Sequence, residues 1–105
     1  MKTSPSDLDI ATKAVVFIAA RYHVSIQDLE GHSRKWSLVW PRWLAINLVR
    51  GYTSLSLAKI GLLFDRNKSS IHEALSSFGR QIETSAPHAV ETVHLLNAWE
   101  SAIGD

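Results

Sequence analysis

The feature of this sequence that most constrains its fold is the helical spacing of its apolar residues. Ile10, Ala14, Phe17 and Ile18 recur at positions that share one face of a helix. Similar spacing continues to the C-terminus, and no segment alternates apolar and polar residues as a half-buried strand does. We therefore predict an all-α fold of five to six helices without a sheet.

Polar residues, glycines and prolines mark the breaks between these helices. Ser6, Ser25 and Ser56 are expected to cap the helices that follow them. Pro41 is expected in the first turn of the third helix, where its missing N–H does no harm, and Gly51 is expected to end that helix. The predicted helices span residues 6–22, 25–29, 38–50, 56–64 and 68–82, with a last helix from 87 onward and a polar loop at 31–37.

Length and composition favour one packed domain over residues 1–105, because 46% of the residues are hydrophobic and little room is left for a second core. The sequence has no cysteine, which excludes disulfides and cysteine zinc sites and fits a reducing compartment. The N-terminus lacks the apolar run of a signal peptide, and the longest apolar stretch is shorter than the roughly 20 residues of a membrane span. We expect a soluble, cytoplasmic protein.

Charge is unevenly distributed along the chain, although the formal net charge is only +1. Residues 31–80 carry eight basic and two acidic residues, residues 1–30 carry three and four, and residues 81–105 carry four acidic residues and no basic one. A basic patch on one face is typical of nucleic-acid binding. The alternative is an ordinary solvated surface on which basic residues cluster by chance.

Residues 56–82 have the pattern of a helix-turn-helix, with two short helices joined by a tight break at 65–67. The second helix begins with Lys68, Ser69 and Ser70. Free backbone N–H groups and a positive dipole at such a helix start suit phosphate contact, and short polar side chains enter a major groove without a clash. The alternative is an ordinary pair of helices in a bundle.

Residues 60–74 read I-G-L-L-F-D-R-N-K-S-S-I-H-E-A. This stretch resembles the I-G-x-x-F-G-G-R-D-H-T-T-V-x-x-A signature of the C-terminal DNA-binding domain (domain IV) of the bacterial chromosomal replication initiator DnaA, with one residue fewer after Phe64. Upstream, residues 22–29 resemble the family's Y-x-I-x-x-x-D-L, and Pro41-Arg42 resembles its A-R-P-R segment. The resemblance implies a six-helix, Trp-repressor-like fold that binds short, asymmetric, AT-rich duplex sites as a monomer.

The resemblance also implies roles for individual residues. Arg34 matches a basic-loop arginine that enters a minor groove, where narrow AT-rich DNA has an enhanced negative potential. Arg42 matches an arginine that contacts phosphate, and the start of the second helix matches the segment that enters the major groove. The predicted DNA-binding residues are Arg34, Lys35, Arg42, Arg66, Asn67, Lys68, Ser69, Ser70, His72 and Glu73.

Two departures from the family pattern bear on specificity. The family's aspartate-histidine pair is replaced by Asn67-Lys68, and because asparagine pairs with adenine whereas aspartate prefers cytosine, we predict a changed base preference. Two other basic positions of the family are Trp36 and Trp40 here, which is expected to weaken the phosphate contribution and flatten the salt dependence of binding.

The tryptophans Trp36, Trp40 and Trp43 lie within eight residues of one another. In one interpretation they pack beneath the loop as part of the core. In the other, Trp40 and Trp43 form an exposed apolar patch, with Trp36 beside them, for a homodimer or a protein partner.

Enzymatic chemistry is not expected. No G-x-x-x-x-G-K-[ST] motif is present for ATP hydrolysis, the five histidines are scattered, and no serine has an obvious base beside it. We predict no cofactor, no metal site and no catalytic residue. The predicted function is sequence-specific binding of double-stranded DNA in the nucleoid, which regulates replication initiation or transcription. The alternative is a protein-interaction module that retains the fold but has lost specific DNA binding.

Overall fold

The computed structural model describes residues 5–104, with Pro5 described by its backbone alone. These residues form an all-α domain with no strand, so the predicted fold class is confirmed. None of the described helices is long and apolar enough to cross a bilayer. The six helices are α1 (Pro5–Tyr22), α2 (Ile26–Glu30), α3 (Trp36–Tyr52), α4 (Leu57–Leu63), α5 (Lys68–Thr84) and α6 (Ala86–Gly104).

Two of the three predicted serine caps are confirmed. Ser25 Oγ accepts a hydrogen bond from the backbone N–H of Asp28 at 3.0 Å, and Ser56 Oγ accepts one from Lys59 at 3.1 Å. The third expectation was wrong, because α1 begins at Pro5 and Ser6 lies inside its first turn. Proline is well suited to a helix start, since its φ angle is already helical and its missing N–H has no intrahelical partner there.

Helix α3 is longer at both ends than the sequence predicts. It begins at Trp36 because the carbonyl of Lys35 accepts hydrogen bonds from Leu38 and Val39, each at 2.9 Å. Pro41 is therefore in the second turn rather than the first. The helix also continues through Gly51 to Tyr52, so glycine does not end it. The connecting loop is shortened to residues 31–35, and we call this segment the basic loop.

Helix α3 lies at the centre of the fold and contacts α1, α2, α4 and α5, while α6 packs against α5 and α1. This arrangement buries apolar side chains from all six helices. The largest fully buried side chains are Trp99, Phe64, Ile18, Leu29, Leu44, Ile46, Ile60, Ile71, Leu95 and Val49. The core thus fixes α4 and α5 against α3 and leaves the first turns of α5 at the surface.

Helix α1 ends with a Schellman motif. His23 has a φ angle of 55°, its N–H donates to the carbonyl of Ala20 at 3.4 Å, and the N–H of Val24 donates to Ala19 at 3.0 Å. Glycine is the usual residue at such a left-handed position. The motif turns the chain sharply into α2, which brings the basic loop that follows α2 to the side of α3 and α5.

The tryptophan cluster is mostly internal. Trp40 is only 4% exposed; it stacks on Phe78, packs against His88 with ring centres 4.4 Å apart, and donates its Nε1–H to Glu91 at 3.1 Å. The interpretation that places Trp40 in an exposed patch is therefore wrong, because α6 covers it. Trp43 is partly buried, and Trp36 is 46% exposed with its ring stacked on that of Trp40.

Candidate nucleic-acid interface

The turn between α4 and α5 is built on a close backbone approach at Gly61. The N–H of Arg66 donates to the carbonyl of Gly61 at 2.7 Å, and a Cβ at Gly61 would collide with the carbonyl oxygen of Arg66. Asp65 has a left-handed φ angle of 52°, which reverses the chain within very few residues. The predicted tight break at 65–67 is thus present, and it fixes the angle at which α5 leaves α4.

The start of α5 is capped and exposed. Asn67 Oδ1 accepts a hydrogen bond from the N–H of Ser70 at 2.8 Å, which satisfies one of the free N–H groups at this helix end. The opposite face of the helix is anchored by buried Ile71, Ala74 and Phe78. The residues predicted to contact DNA on this helix are all exposed, namely Asn67, Lys68, Ser69, Ser70, His72 and Glu73.

A surface groove of about 660 Å³ separates the basic loop from α5, with α3 as its floor. It brings together seven predicted residues of the interface, while Lys35, Lys68 and His72 are exposed outside its lining. Arg34, from the loop, therefore faces the same space as Ser69 and Ser70, from the helix. The lining residues are His32, Ser33, Arg34, Val39, Arg42, Trp43, Ile46, Asp65, Arg66, Asn67, Ser69, Ser70, Glu73, Ala74 and Ser77.

Arg42 lies in the floor of this groove and is only 4% exposed. Its Nε donates to the carbonyl of Leu29 at 2.7 Å, its Nη1 to Ser33 at 2.9 Å and its Nη2 to Asp28 at 2.9 Å. Burial and the nearby guanidinium of Arg66 lower the pKa of Arg42. The prediction that Arg42 contacts phosphate is therefore wrong, because the side chain is buried and its donors are bound to carbonyls of α2 and the basic loop.

Arg66 is partly buried between the basic loop and the turn. Its Nη1 donates to the carbonyl of Phe64 at 2.6 Å, and its Nη2 donates to the carbonyl of Gly31. Burial lowers the pKa of Arg66. The side chain therefore joins two segments that are far apart in sequence and lie on opposite sides of the groove.

The chain is similar to one known protein family over most of its length. Residues 12–78 match the family model described as "Bacterial dnaA protein helix-turn-helix". The match runs from α1 into α5, covers more than half of the chain and includes the entire groove. The chain belongs to this DnaA helix-turn-helix family. The resemblance found in residues 22–29 and 60–74 is thereby confirmed.

Curated DnaA relatives align with large parts of the chain. The chromosomal replication initiator protein DnaA of Symbiobacterium thermophilum is 33% identical over 95 residues, which cover 90% of this chain and 20% of the relative. That of Oleidesulfovibrio alaskensis is 30% identical over 83 residues, covering 79% and 18%. That of Desulfotalea psychrophila is 43% identical over 54 residues, covering 51% and 11%. The chain spans about a fifth or less of the length of these relatives.

One pair in the groove departs from the DnaA signature quoted above and was missed by the sequence analysis. His32 Nε2 lies 3.1 Å from Asp65 Oδ2, which links the basic loop to the turn. Asp65 stands where the DnaA pattern has glycine, so the departure itself was the available signal. Ser33, Val39, Trp43 and Ser77 were also missed as lining residues, because nothing in their local sequence indicates that they share a surface.

Proposed function

We propose that this DnaA-family chain binds double-stranded DNA, with sequence specificity, through the groove between the basic loop and α5. The observation that carries the proposal is that Arg34 and the exposed start of α5 line one groove. An α-helix fits into the major groove of DNA, and the free N–H groups at its N-terminus can bind phosphate oxygens. An arginine on an adjacent loop is then within reach of the neighbouring minor groove, as in other domains that read both grooves.

The proposed contacts follow from position and chemistry. Lys35 and Lys68, exposed on the two sides of the groove, are assigned to phosphates, and Arg34 is assigned to the minor groove. Ser69 and Ser70 are assigned to the major groove or its phosphates, since hydroxyls both donate and accept. Asn67, His72 and Glu73 complete the assignment at base edges, and Asn67 does so while its Oδ1 caps the helix.

For the biological role, we propose that the domain, residues 1–105, regulates replication initiation or transcription by occupying AT-rich, initiator-type sites in the nucleoid of the cytoplasm. The names of the curated relatives, all chromosomal replication initiators, support the first of these roles. We further propose that occupancy rather than ATP hydrolysis is its activity, since the chain has no glycine-rich phosphate-binding motif.

Fluorescence anisotropy with labelled duplexes over a range of salt concentrations tests the proposal. We expect a negative slope of log affinity against log salt, steeper by about 0.9 for each phosphate contact. Lys68→Ala should reduce that slope by about 1 on every sequence, whereas Arg34→Ala should cost about 1–3 kcal/mol mainly on AT-rich sites. The matched control is Arg21→Ala, an exposed arginine outside the groove. A slope near zero for the unaltered protein would overturn the proposal.

A second candidate, a protein-interaction surface, is favoured by the exposure of Trp36. This ring is 46% exposed, and it contacts the partly buried Trp43, which lines the groove. We propose a homodimer or a protein partner only at this position, because Trp40 is buried. Sedimentation velocity over a range of protein concentrations tests it, and a monomer that Trp36→Ala leaves unchanged, together with strong DNA binding, would rule the homodimer out.

A further inference from the structure

The basic loop is held mainly by arginine side chains that bind backbone carbonyls. Arg42 and Arg66 together donate five hydrogen bonds to carbonyl oxygens, four of them in the segment 28–33. We call these two side chains and their acceptors the arginine clamp. Loops whose backbone is satisfied in this way are fixed in conformation, because each planar guanidinium imposes the directions of several hydrogen bonds at once.

The Arg42 half of the clamp ties the loop to the centre of the fold. Its acceptors Asp28 and Leu29 lie in the last turn of α2, where carbonyls have no partner within the helix, and its third acceptor, Ser33, lies next to Arg34. Since Arg42 extends from buried α3, the end of α2 and the middle of the basic loop are both fixed to α3.

The Arg66 half of the clamp ties the loop to the helix-turn-helix. Arg66 lies two residues before α5, and its guanidinium joins the carbonyl of Gly31 to that of Phe64. Its own N–H is bound to Gly61 at 2.7 Å, so its backbone is fixed as well. The side chain thus determines the separation between the basic loop and the start of α5. His32 and Asp65 form a second, solvent-exposed link across the same gap.

The two arginines of the clamp are explained by the shape of the guanidinium group rather than by its charge. Among residues 5–104, neither guanidinium of the clamp lies within ion-pair distance of a carboxylate, and the nearby charges of Asp28 and Asp65 only partly offset the effect of burial on Arg42 and Arg66. Two neighbouring like charges that are taken out of water oppose folding. A lysine would carry the same charge, but it has no planar fork with which to hold two separate carbonyls.

We propose that Arg66 is a positioning residue rather than a DNA contact, and that with Arg42 it holds Arg34 at a fixed distance from the start of α5. The major and minor grooves of the DNA are then contacted by one rigid unit. The conformational entropy of the basic loop is lost when the protein folds and not when it binds DNA. This inference rests on the proposed function, because it assigns a role in reading DNA.

A double-mutant cycle tests it, with affinities measured by anisotropy on an AT-rich duplex selected with the unaltered protein. Arg34→Ala is expected to weaken binding about tenfold in the unaltered background, the size of one lost base contact. In the Arg66→Lys background the same change is expected to cost less than about twofold, because Arg34 is no longer held at a fixed distance from the start of α5. Arg21→Lys is the matched control background, in which the full loss should persist.

Two outcomes of the cycle would overturn the inference. An equal loss in both backgrounds would mean that Arg34 acts independently of the clamp. Unchanged binding by Arg66→Lys would mean that charge alone matters at this position. If the unaltered protein bound no duplex at all, the proposed function would fail first, which the anisotropy of that protein reports before any variant is made.

A measurement on the unaltered protein covers the case in which Arg66→Lys does not fold, as judged by circular dichroism. The guanidinium protons of Arg66 are followed by NMR while duplex DNA is added. A positioning residue keeps its hydrogen bonds to Gly31 and Phe64, so its signals should persist in slow exchange with solvent and show no nuclear Overhauser contact to DNA. Contacts between these protons and the DNA would overturn the inference.

Discussion

At the scale of single residues, Gly61 is required because the backbone of Arg66 occupies the space of its missing side chain. We expect Gly61→Ala to lower the free energy of unfolding by about 2–3 kcal/mol, since the turn must shift to relieve the collision. Urea denaturation followed by circular dichroism measures this. The control is Gly51→Ala, which meets no atom within 4 Å in a helix and should stabilise by about 0.5–1 kcal/mol. Equal effects of the two changes would contradict this explanation.

Arg42 was predicted to contact DNA, but its buried guanidinium stabilises the fold by donating hydrogen bonds to backbone carbonyls. Replacing it with alanine removes the donor of the carbonyls of Leu29 and Ser33 and leaves the carbonyl of Asp28 with only the N–H of Gly31. We expect a loss of about 2–4 kcal/mol in the free energy of unfolding, as is typical of breaking a buried hydrogen-bond network. Thermal and urea unfolding measure it. The exposed Arg21→Ala should change stability by less than about 0.5 kcal/mol, and a loss as small for Arg42→Ala would argue against the burial seen here.

At the scale of secondary-structure elements, the first residues of α5 combine a structural and a proposed functional role in Asn67. Asn67→Ala removes the cap on Ser70 and should cost about 1 kcal/mol of stability. Asn67→Asp keeps a capping oxygen and restores the residue of the DnaA pattern, so stability should be retained while base preference moves from adenine towards cytosine. Unfolding measurements and selection from a random duplex pool test the two halves separately. An unchanged selected site for Asn67→Asp would exclude a base contact at this position.

The helices themselves were largely predictable, because their signals are local. Ser25 and Ser56 cap α2 and α4 as expected, and Lys68 begins α5 at the predicted place. The start of α3 was missed because Trp36 and Ser37 continue a polar loop in sequence, and only the backbone of Lys35 shows that the helix has begun.

The sequence predicted which residues of the interface are exposed, but it did not predict the hydrogen bonds that hold the basic loop against α3 and the turn. The family signature identified Arg42 and Arg66, yet their partners are backbone carbonyls, which have no residue-type signature. The sequence left Trp40 open between the core and an exposed patch for a related reason, since the helix that covers it, α6, lies far along the chain. Tertiary contacts that depend on helix packing leave no trace in local spacing.

At the scale of the whole molecule, a carboxylate on α6 connects three helices. Glu91 accepts hydrogen bonds from Tyr22 on α1 and from Trp40 on α3. Burial, reinforced by Glu91, raises the pKa of Tyr22 far above its ordinary value of 10.0, and burial also raises the pKa of Tyr52. The protonated tyrosines therefore favour the folded state, and this contribution is complete below pH 10 and lost as the pH rises above it.

We accordingly expect the free energy of unfolding to fall above about pH 10, by at most about 1.4 kcal/mol per pH unit for each tyrosine. Tyr22→Phe should be less stable at neutral pH, because its hydrogen bond is lost, but should show a shallower alkaline decline. The double change with Tyr52→Phe should be shallowest, since the chain has only two tyrosines. Urea unfolding at several alkaline pH values measures this, and parallel pH profiles for all three proteins would refute it.

Two described non-glycine residues have a left-handed backbone, His23 and Asp65. Replacing them with glycine to raise the thermal stability of the domain should affect DNA binding differently. Glycine at either place would relieve backbone strain of about 1–2 kcal/mol, which exceeds the roughly 0.5–1 kcal/mol of conformational entropy that glycine loses on folding. His23→Gly lies at the end of α1, outside the groove, and should raise the melting temperature without cost. Asp65→Gly would also remove the partner of His32, so the same gain should come with weaker DNA binding, a trade-off common at functional turns.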